Sequence, residues 1–277
     1  MHIPDAWREQ ARKIISKPGV ALVIGRVNTG KSTLTRYLLQ AALHAGLKAL
    51  VVDTDLGQAS IGPPTCMSLT PWPDGPTNFR FVGATSPAGQ LLQVTVGAKL
   101  LVERAREQGA GLVVVDTSGM VQGPQGTLLK RFKIELIRPR YLLVLQKGGE
   151  LEGLLGKIPR PSGMELCRLP LSPDARPRSA AERTLYRQER FAAYFQEAAA
   201  RWIDLRRPMR FLSGLPPRAG RVVGLINPAG ETLGLGVMRR HAAERVELLT
   251  PVLESEPIRF LEVSGVRLDE DCRELHA

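Results

Sequence analysis

Along the first half of the chain, short runs of consecutive apolar residues alternate with segments whose apolar positions recur every three or four residues. The runs are Val20–Ile24, Leu47–Val52 (interrupted only by Lys48), Gly111–Val115 and Tyr141–Leu145. Each is short for a helix and apolar on both faces, the pattern of a strand buried between two layers. The intervening spacing predicts helices over Asp5–Ser16, Lys31 to about His44, Pro87–Gln108 and Gln125–Ile137. Lys17-Pro18-Gly19, Ala45-Gly46 and Pro139 supply stop signals. Asn78–Val82 is a further candidate strand, and residues 56–77, rich in glycine and proline, read as loop. Strand–helix alternation of this kind predicts an α/β fold with a doubly wound, mostly parallel sheet joined by right-handed crossovers.

The second half has a different pattern. Pro159–Pro177 is proline-rich and reads as irregular, whereas Ser179–Ile203 reads as one long helix. Leu185, Ala192 and Phe195 would form its inward face. After Arg206-Arg207-Pro208, the runs Val222–Ile226, Leu233–Met238, Val246–Leu249 and Ile258–Val263 alternate with turns such as Asn227-Pro228-Ala229-Gly230. The expected division is therefore residues 1–205, with an arginine-rich helix near 179–203, and a small β-rich C-terminal domain over 206–277.

Composition narrows the class. The 277 residues are 43% hydrophobic, enough for a full core and too many for a disordered chain. No apolar stretch approaches the roughly 18 residues that a membrane span needs. Asp5, Arg8 and Glu9 stand where a secretory signal would need an apolar centre. A soluble cytoplasmic protein with no membrane partner is expected. Cys66, Cys167 and Cys272 lie far apart, and His2, His44, His241 and His276 are scattered, so neither a zinc site nor a disulfide framework is expected. Thirty-eight basic against 27 acidic residues give a net charge of +11, which favours anionic partners such as nucleotides or nucleic acid. Every basic side chain after Lys157 other than histidine is arginine, the residue better suited to bidentate phosphate contacts.

Gly25-Arg26-Val27-Asn28-Thr29-Gly30-Lys31-Ser32 fits GxxxxGK[ST], between a predicted strand and a predicted helix. Its glycines let the backbone curl around phosphates, and the helix N-terminus adds partial positive charge. Gly25, Asn28, Thr29, Gly30, Lys31, Ser32 and Thr33 are the candidate nucleotide-binding residues. Lys31 can reach the β- and γ-phosphates and Ser32 can ligate Mg2+. Asp53 and Asp55 follow at the C-terminal end of the next strand, where open parallel sheets bind ligands. Asp55 can organise Mg2+ or accept a proton from an attacking hydroxyl; Asp53 and Asp55 alternate, so one is catalytic and one structural. Leu112–Val115 ends in Asp116, a Walker B pattern, and Asp116 competes with Asp55 for the metal. Thr117 and Ser118 can bond the γ-phosphate region or only their own turn. Arg183, Arg187 and Arg190 share one helical face. They read either as a mobile lid that neutralises transferring phosphate or as a solvated face partnered by Glu182 and Glu189.

The combination GxxxxGKS, DTDLGQASIGPP, VVVDTSGMVQGPQ and an arginine-rich helix resembles the polynucleotide 5′-hydroxyl kinases related to the mRNA cleavage-factor and pre-rRNA-processing kinases. The resemblance spans about residues 19–205, and Arg221–Leu268 is compatible with that family's β-rich tail. It implies ATP and Mg2+ as cofactors and a nucleic-acid 5′-OH end, RNA or DNA, as partner, with no obligate protein partner. It implies that Lys31, Asp55, Arg183 and Arg187 carry catalysis. Gln58 would help place phosphate or metal water, Thr117 and Ser118 would clasp the γ-phosphate, and Arg190 would assist. Two departures stand out. Only about 18 residues precede the first strand, where eukaryotic members carry a large N-terminal domain, so a minimal prokaryotic-type enzyme is expected. Met120 replaces the aromatic of the family's TSGW clasp. Two alternatives are a P-loop NTPase switch and a non-catalytic ATP-bound RNA-processing scaffold. The first lacks a guanine-reading NKxD, since Leu145-Gln146-Lys147-Gly148 supplies none; intact Lys31, Ser32 and Asp55 oppose the second.

Overall fold

The apolar runs form the strands that carry the phosphate-binding turn. In a computed structural model, residues 2–206, 210–212, 214–253 and 255–275 are described; Arg207, Pro208 and His276 lie outside them. In chain order the elements are α1 (Asp5–Ser16), β1 (Val20–Gly25), α2 (Lys31–His44), β2 (Ala49–Thr54), β3 (Cys66–Pro71), β4 (Asn78–Phe81), α3 (Leu91–Glu107) and β5 (Leu112–Thr117). There follow α4 (Gly123–Ile137), β6 (Tyr141–Leu145), the one-turn α5 (Glu152–Leu155), β7 (Glu165–Leu169), α6 (Ala180–Phe195) and β8 (Ala199–Asp204). The chain closes with β9 (Arg210–Phe211), β10 (Arg221–Ile226), β11 (Thr232–His241), β12 (Arg245–Thr250) and β13 (Phe260–Arg267). These elements group into two compact units: Met1–Asp55 with Met67–Thr77 and Pro87–Arg178, and Leu56–Cys66 with Asn78–Ser86 and Ser179–Ala277.

The first unit holds the expected sheet, in the order β7-β6-β1-β5-β2-β3. All neighbours are parallel except β3, which runs antiparallel to β2. Every residue of β1, β2, β5 and β6 is buried, as continuous apolar strands with helices on both faces require. Trp7 of α1 is fully buried, and its indole N–H donates to the Pro170 carbonyl at 2.9 Å.

Three expectations need correction. The segment 56–77 contains β3, whose Met67, Ser68, Leu69 and Thr70 are buried beside β2; flanking prolines hid this strand. The segment 159–177 contains β7, an edge strand paired with β6, where exposure leaves no apolar run to read. The long helix ends at Phe195, and Ala199–Asp204 forms β8, paired with β12 from Ala199↔Thr250 to Asp204↔Arg245. Pairing with a partner strand outweighs the modest helix preference of an alanine-rich stretch.

The second unit is built on antiparallel pairs, β8 with β12, β12 with β11, β11 with β10 and β10 with β13, with β9 added parallel to β13. Ser179 opens α6 through a capping box: its hydroxyl accepts from the Glu182 amide at 3.1 Å, and Glu182 accepts from the Ser179 amide at 2.6 Å. Phe191 and Phe195 are the buried residues of the helix, packed in one cluster with Phe81, Val222 and Leu235. Leu185, expected on the inward face, is 53% exposed, and Ala192 is exposed too, so the buried stripe runs through Phe191 and Phe195. Among the described residues no helix is long and apolar enough to cross a membrane.

Phe191 is fully buried in this cluster. Phe191→Ala is expected to lower the stability of the second unit by about 3–5 kcal/mol, read by urea denaturation.

Candidate active site

The turn between β1 and α2 is shaped by its glycines. Asn28 and Gly30 take left-handed conformations, with φ of 65° and 85°. A Cβ on Gly25 would lie 2.5 Å from Thr29 Oγ1 and 3.0 Å from the Leu145 carbonyl, so no side chain fits. Thr29 donates to the Arg26 carbonyl at 2.9 Å. Gly30 is the N-cap of α2 and no side chain caps that end, so the first amide groups are available to an anion. Lys31 is buried, and its Nζ donates to the Arg26 carbonyl at 2.7 Å. Burial lowers its pKa, against the pull of Asp116 and Asp55.

The β2–β5 register sets Asp53 beside Asp116 and Thr54 beside Thr117 at the C-terminal edge of the sheet. Ser32 donates to Asp116 Oδ2 at 2.6 Å, joining the P-loop to β5. Asp116 is buried and its other oxygen, Oδ1, has no hydrogen-bond partner among the described residues. Burial raises its pKa; Lys31 and the Ser32 hydroxyl oppose the shift, and Asp55 adds to it. Asp53 is buried and accepts from the Asp55 amide at 3.0 Å, so Asp53 shapes the turn that carries Asp55. Ser118 is buried, and its hydroxyl also has no partner. A Cβ on Gly119 would lie 2.6 Å from the Val27 amide nitrogen, so the turn after β5 packs directly on the P-loop.

Two residues that sequence reasoning missed lie behind this edge. Lys130 and Lys133 of α4 are fully buried. Lys133 donates to Thr54 Oγ1 at 2.6 Å, and Thr54 in turn donates to the Asp116 carbonyl at 2.8 Å. Lys130 donates to Thr117 Oγ1 at 2.9 Å, and Thr117 donates to the Val23 carbonyl at 2.7 Å. The hydroxyls thus tie β2 to β5 and β5 to β1, and each accepts from one lysine. A signal existed: Lys130 and Lys133 share the buried stripe of Gly126, Leu129, Ile134 and Ile137. Burial lowers the Lys133 pKa to about 7, against Asp55, Asp53 and Asp116. Lys130 is held well below its usual value by burial, with Lys133 and Lys31 adding to the effect.

The remaining predicted residues belong to the second unit. Gln58 donates to the Gly57 carbonyl at 2.7 Å and the Arg183 carbonyl at 3.1 Å. A Cβ on Gly57 would lie 2.4 Å from the Thr85 carbonyl, which accounts for glycine in the DLGQ element. Arg187 pairs with Glu274, a residue the sequence did not single out, through Nε to Oε1 and Nη2 to Oε2, the latter at 3.2 Å. Arg190 donates to the Gly62 carbonyl at 2.6 Å. Glu182, expected as a partner for the arginines, is used in the capping box.

Lys133 has a measurable pH signature. Its folded pKa of about 7 lies below the ordinary 10.5, so between those values the unfolded chain binds more protons and folding strengthens as pH rises. Lys133→Met is expected to be more stable than the parent near pH 7. The gap should close by roughly 1 kcal/mol per pH unit toward pH 10, read by urea denaturation at several pH values. A gap that stays constant over that range contradicts the assignment.

The family model for the P-loop of the mRNA cleavage and polyadenylation factor CLP1 matches residues 25–197. The chain is 28% identical to a polyribonucleotide 5′-hydroxyl-kinase of Pyrococcus furiosus, with 99% of this chain and 95% of that one covered. It is also 28% identical to a polyribonucleotide 5′-hydroxyl-kinase of Methanocaldococcus jannaschii, with 94% and 90% covered. A solved structure of Clp1p with Pcf11p has a similar fold, with a TM-score of 0.79 over 96% of this chain and 80% of that one, at 15% identity. The family match spans more than half of the chain and includes the P-loop, Asp116 and the arginine-rich helix, and the protein belongs to the CLP1 P-loop family.

Proposed function

We propose that the protein is a polynucleotide 5′-hydroxyl kinase that transfers the γ-phosphoryl group of ATP, with Mg2+, to the 5′-OH end of RNA. The observation that carries this reading is near-full-length similarity to archaeal polyribonucleotide 5′-hydroxyl kinases in a chain that retains Lys31, Ser32, Asp55 and Asp116. The side chains fit the cofactor. Ser32 and Asp116 already lie together, and the buried Oδ1 of Asp116 lacks the partner that a metal or metal-bound water would supply. Bound Mg2+ neutralises charge on the phosphate oxygens.

The chain's own residues divide the remaining work. The P-loop amides and Lys31 bind the triphosphate and fix its terminal group. Ser32 and Asp116 hold the metal side of the site. Asp55, beyond the end of β2, accepts the proton of the 5′-hydroxyl as that oxygen bonds to phosphorus and the bond to the departing diphosphate breaks. The Ser118 hydroxyl orients the γ-phosphate, whereas Thr117, expected to share that clasp, uses its hydroxyl on the Val23 carbonyl and Lys130 and holds the strand end instead; the family resemblance gives Gln58 and Arg190 a part in nucleotide binding. The family resemblance assigns Arg183 and Arg187 to charge neutralisation in the transfer, a role that requires Arg187 to exchange the Glu274 carboxylate for phosphate. Positioning and charge neutralisation account for most of the rate gain in such transfers. A net charge of +11 suits a polyanionic acceptor, whose binding should weaken steeply with salt.

The test is transfer of labelled γ-phosphate to a 5′-OH oligoribonucleotide. The parent is expected to transfer with Mg2+ and not with EDTA. Asp55→Asn should lower kcat by about 10²-fold or more, the scale of a lost general base, while ATP affinity changes little. Phosphate release indifferent to the oligonucleotide would indicate an NTPase instead, and retention of nucleotide without transfer a scaffold.

A further inference from the structure

An ammonium removed from water is destabilising unless its donors are matched, and an apolar residue of similar length packs as well. A fully buried lysine beside a binding loop therefore invites the question of what its donors hold. Lys130 Nζ donates to Thr117 Oγ1 at 2.9 Å and to the Ser118 carbonyl at 2.7 Å. Thr117 uses its own proton on the Val23 carbonyl at 2.7 Å, which leaves a lone pair for Lys130. Two N–H donors suffice for both bonds, so the arrangement works whether the group is an ammonium or a neutral amine.

The turn after β5 is thus held from two directions. Lys130 grips Thr117 and Ser118, while Gly119 abuts Val27 of the P-loop so closely that a Cβ would lie 2.4 Å from the Val27 side chain. Between these supports the Ser118 hydroxyl is buried and has no partner among the described residues. Buried hydroxyls are ordinarily satisfied, and an unsatisfied one in a turn whose next residue abuts a phosphate-binding loop has a donor to offer a phosphate oxygen. The i, i+3 partner Lys133 fixes Thr54 in the same way on the neighbouring strand, so the lysine pair acts on the strand ends.

We propose that Lys130 is a positioning residue that holds the Ser118 hydroxyl ready for the terminal phosphate of the bound nucleotide, and so sets the preference for a triphosphate over a diphosphate. This rests on the reading of the P-loop as a nucleotide site and is independent of the identity of the phosphate acceptor. A brace that served folding alone would weaken all nucleotides alike, or none.

The experiment measures the Kd of a non-hydrolysable ATP analogue and of ADP, both with Mg2+, by calorimetry on the full chain. In Lys130→Met the ATP analogue is expected to bind about tenfold more weakly, with ADP within about twofold, the size of one lost hydrogen bond to a charged group. Thr117→Val removes the acceptor with little change of shape; it should reproduce the selective loss and carries the contrast if Lys130→Met does not fold. Equal weakening of both nucleotides, or no change in either, overturns the proposal. A parent that binds neither nucleotide overturns it together with the nucleotide-site reading. A parent that binds both and phosphorylates no 5′-OH end refutes only the kinase assignment, and the Lys130 contrast stands by itself.

Discussion

The Ser32–Asp116 hydrogen bond is the contact on which the rest of this sheet edge depends. It joins the first residues of the P-loop helix to the end of the neighbouring strand with one 2.6 Å bond. Asp116 is buried, so it persists as a charged group only where cations and donors compensate it. Lys31 and Ser32 do so from the P-loop side, and both lower a pKa that burial raises. Behind them Thr54 and Thr117 lock β2, β5 and β1 together, and Lys130 and Lys133 lock the threonines. The result is a stiff, preorganised edge whose unsatisfied atoms include Asp116 Oδ1 and Ser118 Oγ, of the kind that a metal and a phosphate require.

Much of this edge was legible in the sequence because the physics there is local. A glycine-rich turn between an apolar run and a helical stretch leaves few conformations, and Gly25 and Gly30 occupy positions where a side chain collides or the backbone is left-handed. Asp116 was legible as the polar end of an apolar strand. The sequence could not say whether it or Asp55 organises the metal, because that depends on strand order. With β5 between β1 and β2, Asp116 stands next to the P-loop strand, and its bond to Ser32 is the reason the proposed reaction assigns it to the metal. Lys130 and Lys133 escaped notice because charged letters read as surface, although their spacing lies on the apolar stripe of α4.

The second unit was less legible, and the reason is non-local pairing. β8 follows a strong helix without a glycine or proline stop, and only its ladder with β12, far along the chain, makes it a strand. The segments Leu56–Cys66 and Asn78–Ser86 group with the C-terminal residues although they lie far earlier in the chain. Arg187 finds Glu274, 87 residues away, a pairing that no helical spacing could reveal. The arginines of α6 are thus already engaged by groups of their own unit, Arg187 by a carboxylate and Arg190 by the Gly62 carbonyl.

The most direct measurement is a Mg2+ titration of nucleotide binding in the parent and in Asp116→Asn. If the Ser32–Asp116 pair holds the metal, Mg2+ tightens binding to the parent, and the variant loses that increment while its affinity in EDTA is kept or improved, because a buried negative charge near the phosphates has been removed. An Asp116→Asn protein that responds to Mg2+ as the parent does would contradict the central role of that carboxylate.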